Sequence, residues 1–144
     1  MTDGTVGRRT INAIGAQGVL GLGIAEAEAI GVPMAIAVVD DSAHLKAFLR
    51  MDGAPLVAVD RAFGKARTAS RTGMDTETLY EVMATDPALV AGLLPKPDVV
   101  AIAGGQLILL DGAMVGAVGV SGGTPKQDAG VAQVAARALE IGQA

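Results

Sequence analysis

Two stretches of the chain join an apolar strand pattern to a polar turn and carry residue types that could do chemistry. One is HLKAFLRMDGA at residues 44–54, and the other is MVGAVGVSGGTPKQD at residues 114–128. Between them they supply one cation, two carboxylates and a hydroxyl: Arg50, Asp52, Asp128 and Ser121. A guanidinium can bind a carboxylate through two parallel hydrogen bonds, and a nearby carboxylate can act as an acid or a base. If the fold joins the two stretches, these residues can form one wall of a ligand pocket.

A second group of candidate ligand-binding residues lies on a helix predicted over residues 56–72. Arg61 and Lys65 are four residues apart on this helix, and two like charges at that spacing repel each other. An acidic partner or an anionic ligand would relieve the repulsion. Thr68 lies one turn beyond Lys65 on the same side. The same residues would also suit a solvated basic face.

The end of the second stretch predicts the start of a helix. Thr124 at the cap, Pro125 at the first helical position and Gln127 three residues after the cap form a capping box. Ser121 and Gly122 lead into this helix N-terminus, where free backbone N–H groups attract anions. Capping and anion binding compete for the same donors, so both interpretations stay open.

Composition excludes several classes of function. A formal net charge of -4 opposes general nucleic-acid binding, which depends on a basic face. The chain has no cysteine, which excludes disulfides and thiolate nucleophiles, and its single histidine, His44, excludes a site with two imidazoles from one chain. No apolar stretch approaches the ~20 residues that cross a bilayer, so we expect a cytoplasmic protein that contacts no membrane. A hydrophobic fraction of 51% with only 2% aromatic residues favours a homo-oligomer.

The elements that must position these residues follow from hydrophobic spacing and turn signals. Helices are predicted over 8–30, 56–72, 76–83 and 87–93, with a last helix beginning at Pro125. Strands are predicted over 33–39, 44–52, 99–103 and 106–110, with a fifth strand from Ala113. Gly104-Gly105 and Asp111-Gly112 are predicted to form tight hairpin turns between the last three strands. The result is an α+β chain with one core over residues 1–144.

Four motifs together resemble a known family. VVDDSAHLKAFLRMDGA at 38–54, KARTA at 65–69, AGG at 103–105 and DGAMVGAVGVSGGTPKQD at 111–128 are similar to those of the GlcG/HbpS-like heme-binding family. The resemblance implies a profilin-like or PAS-like fold, with helices packed on a five-stranded antiparallel sheet. It also implies heme or a related tetrapyrrole as cofactor and assembly into homo-oligomers, from dimers to octamers.

Two functional hypotheses remain open at this point. In the first, the protein is an oligomeric tetrapyrrole-binding module. Arg50, Arg61 and Lys65 would then bind the propionates, and His44 would be the only nitrogen ligand available to iron. In the second, it is a small cofactor-independent isomerase, hydratase or lyase acting on a carboxylated or hydroxylated metabolite. In that case Arg50 or Lys65 would orient the acid, and the general base would be one of three carboxylates: Asp40, Asp52 or Asp128.

Overall fold

The chain folds into an α+β structure, as predicted. The computed structural model describes residues 3–141. Its helices are α1 (Ala13–Ile30), α2 (Val57–Thr72), α3 (Thr76–Ala84), α4 (Pro87–Leu93), α5 (Pro125–Ala135) and α6 (Ala138–Ile141). Its strands are β1 (Ala35–Asp40), β2 (Leu45–Arg50), β3 (Gly105–Leu110) and β4 (Ala113–Ser121).

The strands form one antiparallel sheet in the order β2-β1-β4-β3. Strand β1 lies between β2 and β4, so it joins the two stretches that carry the candidate residues. Arg50 and Ser121 are both paired with Ala35, at the same end of the sheet. Strand β1 is apolar at nearly every position because both of its faces are covered.

Helices cover both faces of the sheet. Helices α1 and α5 enclose a core of branched side chains on one face, including Val19, Ile36 and Val131. On the other face α2 packs through alanines onto β1 and β4. The approach of α2 to β4 is very close: a Cβ atom at Gly119 would lie 1.9 Å from the Ala62 carbonyl oxygen. The small side chains of this sequence therefore bring the basic helix α2 directly against β4.

The prediction of a fifth strand was wrong. Within residues 3–141 the sheet has four strands, and residues 99–103 form an irregular segment. The backbone of this region is bound by side chains instead of by a neighbouring strand. The Thr68 hydroxyl accepts from the Val100 amide at 2.9 Å, and the Thr76 hydroxyl donates to the Ile102 carbonyl at 2.6 Å. At the outer edge of β3, Asp75 accepts from the Leu107 amide at 2.8 Å. The more specific assignment to a profilin-like or PAS-like fold stays a prediction.

Two turn predictions had opposite outcomes. Asp111 and Gly112 both have positive φ, 52° and 78°, and they connect β3 to β4 in the predicted hairpin. Gly104 and Gly105 form no hairpin, because Gly105 begins β3 and the segment before it is not a strand.

The first helix is shorter than predicted. It begins at Ala13 because the Asn12 side chain accepts from the Gly15 amide at 2.8 Å and caps the helix there. The residues before Asn12, which were predicted to be helical, are extended, and the Ile11 amide donates to the Val115 carbonyl at 2.9 Å.

Helix α1 also has the length and apolar composition of a membrane-crossing helix, although no such segment was predicted. It is the one such helix among the described residues. Its inner side packs against the sheet and α5, with Ala16, Val19, Gly23 and Ala27 buried. Core helices of soluble proteins meet the same criterion, so this observation is weak support for a membrane.

Candidate functional site

The centre of the candidate site is a buried ion pair. Lys65 Nζ of α2 lies 2.9 Å from Asp128 Oδ2 of α5, and the two residues are only 2% and 3% exposed. Lys65 Nζ also donates to the Val120 carbonyl at 2.9 Å, while Asp128 Oδ1 accepts from the Gly123 amide at 2.9 Å. The pair therefore fastens α2 to the end of β4 and to the start of α5.

Burial and ion pairing shift the pKa values of Lys65 and Asp128 in opposite directions. Burial lowers the pKa of the Lys65 ammonium, the hydrogen bond and charge of Asp128 raise it, and the nearby Arg61 charge lowers it again. Burial likewise raises the pKa of the Asp128 carboxyl, whereas Lys65 and the Gly123 amide lower it. Each charge is thus costly in this environment without the other.

The double glycine at 104–105 lies directly against the ion pair. A Cβ atom at Gly104, whose φ is +127°, would lie 2.8 Å from Lys65 Nζ and 2.6 Å from the Val120 carbonyl oxygen. A Cβ atom at Gly105 would lie 2.5 Å from the Lys65 carbonyl oxygen. The AGG, KARTA and SGGTPKQD motifs therefore meet at one buried point. These glycines were predicted to form a hairpin, and their contact with the ion pair has no local signal in the sequence.

At the N-terminus of α5 the Gly123, Thr124 and Gln127 amides are already hydrogen-bonded. The Thr124 hydroxyl accepts from the Gln127 amide, and the Gln127 side chain accepts from the Thr124 amide, which confirms the predicted capping box. The Gly123 amide donates to Asp128. Gly122 packs against Pro33, where an added Cβ would lie 2.8 Å from the carbonyl oxygen. The Asp128 carboxylate thus occupies the position where an anionic ligand could otherwise bind to this helix N-terminus.

The other predicted residues of α2 are in different environments. Thr68 is buried and its hydroxyl holds the backbone at Asp98 and Val100. Arg61 is exposed and lines a separate cavity formed with α3 and α4. Binding roles for Lys65, Thr68 and Arg61 stay predictions, but a ligand that binds Lys65 must first displace Asp128.

The structure does not gather Arg50, Asp52, Ser121 and Asp128 into one pocket wall. Arg50 and Asp52 instead line a shallow cleft together with Glu28 of α1. Arg50 Nη1 donates weakly to the Ala54 carbonyl at 3.4 Å. Ser121 is buried at the end of β4.

His44 and Asp40 lie at the opposite end of the sheet. Asp40 Oδ1 accepts from the Ser42 and His44 amides, at 2.9 and 3.0 Å, so this carboxylate shapes the turn between β1 and β2. The His44 side chain is 81% exposed. At ~3.3 Å per residue, His44 and Arg50 are about 20 Å apart along the strand. Within one chain, the predicted iron ligand His44 is therefore far from Arg50, one of the predicted propionate ligands.

A larger cleft, which was not predicted from the sequence, lies at the end of the sheet near the N-terminal segment. We call it the N-terminal cleft; its volume is about 750 Å³. It lies between the start of α1, the ends of β3 and β4, and α6. Its lining residues are Arg8, Arg9, Thr10, Ile11, Asn12, Ile14, Gly15, Gly18, Leu110, Val115, Ala138 and Leu139. The Asn12 cap was the available signal: it makes the helix begin at Ala13 and leaves the two arginines before it, at the rim.

The two rim arginines each form an ion pair. Arg8 binds Asp41, and Arg9 Nη1 lies 2.9 Å from Asp111 Oδ2. Both arginine side chains are more than half exposed, at 60% and 62%. Solvent-exposed pairs contribute about 0–1 kcal/mol, so a ligand carboxylate could replace Asp111, which is 73% exposed, at little cost. Asp41 is only 11% exposed, so Arg8 would have to bind a ligand carboxylate while it keeps this partner.

The chain belongs to the HbpS-like family. Residues 11–137 match the family described as "Haem degrading protein HbpS-like". Protein GlcG of Escherichia coli strain K12 is 37% identical over 106 residues, which cover 74% of this chain and 77% of GlcG. This membership confirms the resemblance identified from the four motifs.

Solved structures of similar proteins have the same fold. The Klebsiella pneumoniae protein ORFY superposes with a TM-score of 0.90 at 26% identity, covering 97% of both chains. The PduOC:heme complex superposes with a TM-score of 0.80 at 28% identity, covering 90% of this chain and 94% of PduOC.

Proposed function

We propose that this protein binds heme or a related tetrapyrrole in the N-terminal cleft. The proposal rests on the cleft itself, an open space of about 750 Å³ with an apolar floor and two arginines at its rim. Heme has the matching chemistry, since it is a flat apolar ring with two carboxylates on one edge. The heme complex of the similar PduOC supports the same ligand class.

The apolar lining suits the macrocycle. Ile11 and Val115 are buried at the floor, while Leu110 and Leu139 are partly buried beside them. On the α1 side, Gly18 has open space where a side chain would project, so the helix presents a flat surface there. A volume of this size lies within the usual range of ~300–1,000 Å³ for ligand sites.

The rim suits the propionates. Arg8 and Arg9 are neighbouring cations with exposed guanidinium groups; the partner of Arg9, Asp111, is exposed, whereas the partner of Arg8, Asp41, is largely buried. A propionate that is partly withdrawn from water on the cleft wall would bind a guanidinium more strongly than an exposed aspartate does. We therefore assign the two arginines to the carboxylates of the ligand.

The cleft lining contains none of the usual axial ligands of heme iron, which are imidazole, thioether, thiolate and phenolate. The ring and its carboxylates fit the described residues, whereas an iron ligand is missing from the lining. Iron coordination by His44, as predicted from the sequence, would require His44 of a second copy or a movement of the turn at Asp41. When bound, heme would supply iron for ligand binding or redox chemistry.

The test is a hemin titration followed by the Soret band, in parallel with metal-free protoporphyrin IX followed by fluorescence. We expect saturable binding of both, with affinities within a few-fold of each other, because the arginines and the apolar floor provide the binding energy. Arg8→Gln and Arg9→Gln should weaken both ligands, while Arg71→Gln on α2, across the sheet from the cleft, serves as the matched control. Non-saturable uptake, or equal affinity in all three variants, would reject the N-terminal cleft.

Two further variants compare this site with the residues predicted from the sequence. Arg50→Gln should leave the hemin affinity unchanged, and a loss larger than that of Arg8→Gln would favour the ligand set of Arg50, Arg61 and Lys65. His44→Ala should alter the Soret position only if His44 binds iron. Protoporphyrin affinity should be unchanged by His44→Ala in either case.

We also propose that α1 contributes to a homo-oligomer. Gly21 lies on the outer side of α1, outside the residues that line the N-terminal cleft, with nothing within 4 Å of an added Cβ. A glycine costs about 1 kcal/mol relative to alanine in a helix interior, so close packing against another copy would account for it. Sedimentation at micromolar concentration should give a mass above 14.3 kDa, and Gly21→Glu should reduce it. A monomer at every concentration would reject this proposal.

Location in the cytoplasm, expected from the sequence, is retained as part of the proposal. Fractionation of cells that produce the untagged chain would test it, and recovery in the membrane pellet would contradict it.

A further inference from the structure

The basic residues of α2 differ in whether they have an acidic partner. Lys65 is paired with Asp128, and both Arg67 and Arg71 are paired with Asp98. Arg61 alone among these four cations has no carboxylate oxygen within 4.0 Å in the described part of the chain, residues 3–141. An acidic partner therefore offsets the positive charge of Lys65, Arg67 and Arg71, but not that of Arg61.

Arg61 is located at an apolar cavity of about 550 Å³, separate from the N-terminal cleft. The cavity lies between α2, α3, α4 and the irregular segment 99–102, and we call it the α3–α4 cavity. Its other lining residues are Tyr80, Met83, Ala84, Val90, Leu94, Val99, Val100, Ala101 and Ile102. Apart from Arg61 and the Tyr80 hydroxyl, every lining side chain is apolar. Several of them are exposed although they are large and hydrophobic, namely Val90, Leu94 and Ile102.

We propose that the α3–α4 cavity binds a small amphipathic monocarboxylate, with the carboxylate on the Arg61 guanidinium and the apolar body between α3, α4 and the segment 99–102. A planar guanidinium binds a carboxylate through two parallel hydrogen bonds. The apolar walls would cover the remainder of the ligand and remove their own exposed surface from water. The Tyr80 hydroxyl is a second donor on the same lining.

Charge balance favours a single negative charge on the ligand. Arg61 is the one cation that lines the cavity. Asp60, Asp98 and Arg67 line the neighbouring cleft on the other side of Arg61, and Arg67 is paired with Asp98. These three residues therefore add no net positive charge for a dianion. A phosphate monoester carries about 1.5–2 negative charges at pH 7 and would be matched poorly by one guanidinium. The expected ligand is therefore a carboxylic acid with a short aliphatic or alicyclic body.

The test uses sodium octanoate as the probe, with octanol and octyl phosphate as matched compounds of equal chain length. Amide spectra of the ¹⁵N-labelled protein should shift along α3, α4 and residues 99–102 during an octanoate titration. Octanol and octyl phosphate should each bind at least several-fold more weakly. Arg61→Gln should weaken octanoate by roughly ten- to a hundred-fold, which is the range for a hydrogen bond to a charged group.

The controls separate this site from the other proposals. Arg137→Gln, which changes an arginine on the other face of the sheet, should bind octanoate normally, and so should protein that is saturated with hemin. Equal binding of octanol, tighter binding of octyl phosphate, or unchanged octanoate affinity in Arg61→Gln would overturn the assignment. Displacement of octanoate by hemin would also overturn it. So would evidence that a second copy covers the cavity, namely shifts of these amides on dilution together with no binding of octanoate.

Discussion

The buried ion pair allows a quantitative test of how this structure is held together. Lys65→Met keeps a side chain of similar length but removes the ammonium. Asp128 would then remain buried with the Gly123 amide as its only protein partner among the contacts described. Removing one partner of a buried pair costs about 3–5 kcal/mol, because the other charge is left uncompensated. We expect Lys65→Met to lower the free energy of unfolding by that amount.

The double variant Lys65→Met/Asp128→Asn should recover much of this loss. It removes both charges, and the asparagine oxygen can still accept from the Gly123 amide. The remaining cost is the Val120 carbonyl, which loses its ammonium donor; an unsatisfied buried acceptor costs about 1–3 kcal/mol. The coupling energy between the two positions should therefore be about 2 kcal/mol or more.

The assay is urea unfolding followed by circular dichroism at one fixed protein concentration, with thermal unfolding as a second measure. For a domain of this size 1 kcal/mol corresponds to about 2–4 °C, so Lys65→Met should lower Tm by roughly 6–20 °C. Arg9→Gln breaks an exposed pair with Asp111 and is the control, with an expected change of at most ~1 kcal/mol. Small, additive losses in both single variants would refute the reasoning.

The same contacts lead to three other predictions. Burial raises the pKa of Asp128 and Lys65 lowers it, so Lys65→Met should raise this pKa further. A group with a raised folded pKa contributes stability at low pH that is lost as pH rises, so the cost of Lys65→Met should shrink from pH 7 to pH 5; equal costs at both pH values would contradict this. Gly119→Ala should destabilise the fold severely, because its Cβ would lie 1.9 Å from the Ala62 carbonyl oxygen of α2. Gly18→Ala, where an added Cβ has open space, should not. The soluble yield and Tm of the two variants would test this difference. Thr124→Ala should cost about 1 kcal/mol in urea unfolding through loss of the capping box, and a serine there should restore it.

Much of the fold could be predicted because its signals are local. The capping box at Thr124 and the Asp111-Gly112 hairpin depend on residues within one turn of each other, and both were predicted correctly. Helix α4 was also correct from Pro87 to Leu93, since an aspartate cap and a proline at the first position define its start.

The start of α1 was missed although its signal, the Asn12 cap, is local. The error at residues 99–103 arose because distant side chains replace local hydrogen bonds there. Residues 99–103 have the composition of a strand, but Thr68 and Thr76 bind backbone groups there from 32 and 26 residues away in sequence, respectively. Hydrophobic periodicity contains no information about such contacts. The same limit applies to the site, where Lys65 and Asp128 are 63 residues apart and their pairing exists only in the folded chain.

The site residues named from the sequence were chosen for their chemistry alone. Lys65 and Asp128 were assigned to a ligand because a cation and a carboxylate are typical of binding sites, and the structure brings them together as partners of each other. Arg8 and Arg9 were placed inside a helix and therefore overlooked. Arg61 was selected for its repulsion with Lys65, and the structure leaves it as the unpaired member of that helix among the described residues.

The contact between Asp75 and the Leu107 amide has a consequence for how copies of this protein can meet. An edge strand with unpaired N–H and C=O groups is a template for adding strands from other molecules. At β3 the carboxylate of Asp75 accepts a hydrogen bond from one of these amides, that of Leu107, and it also accepts one from the Gln106 side chain at 3.0 Å. A strand from another molecule that pairs with β3 at Leu107 would therefore first have to displace the Asp75 carboxylate.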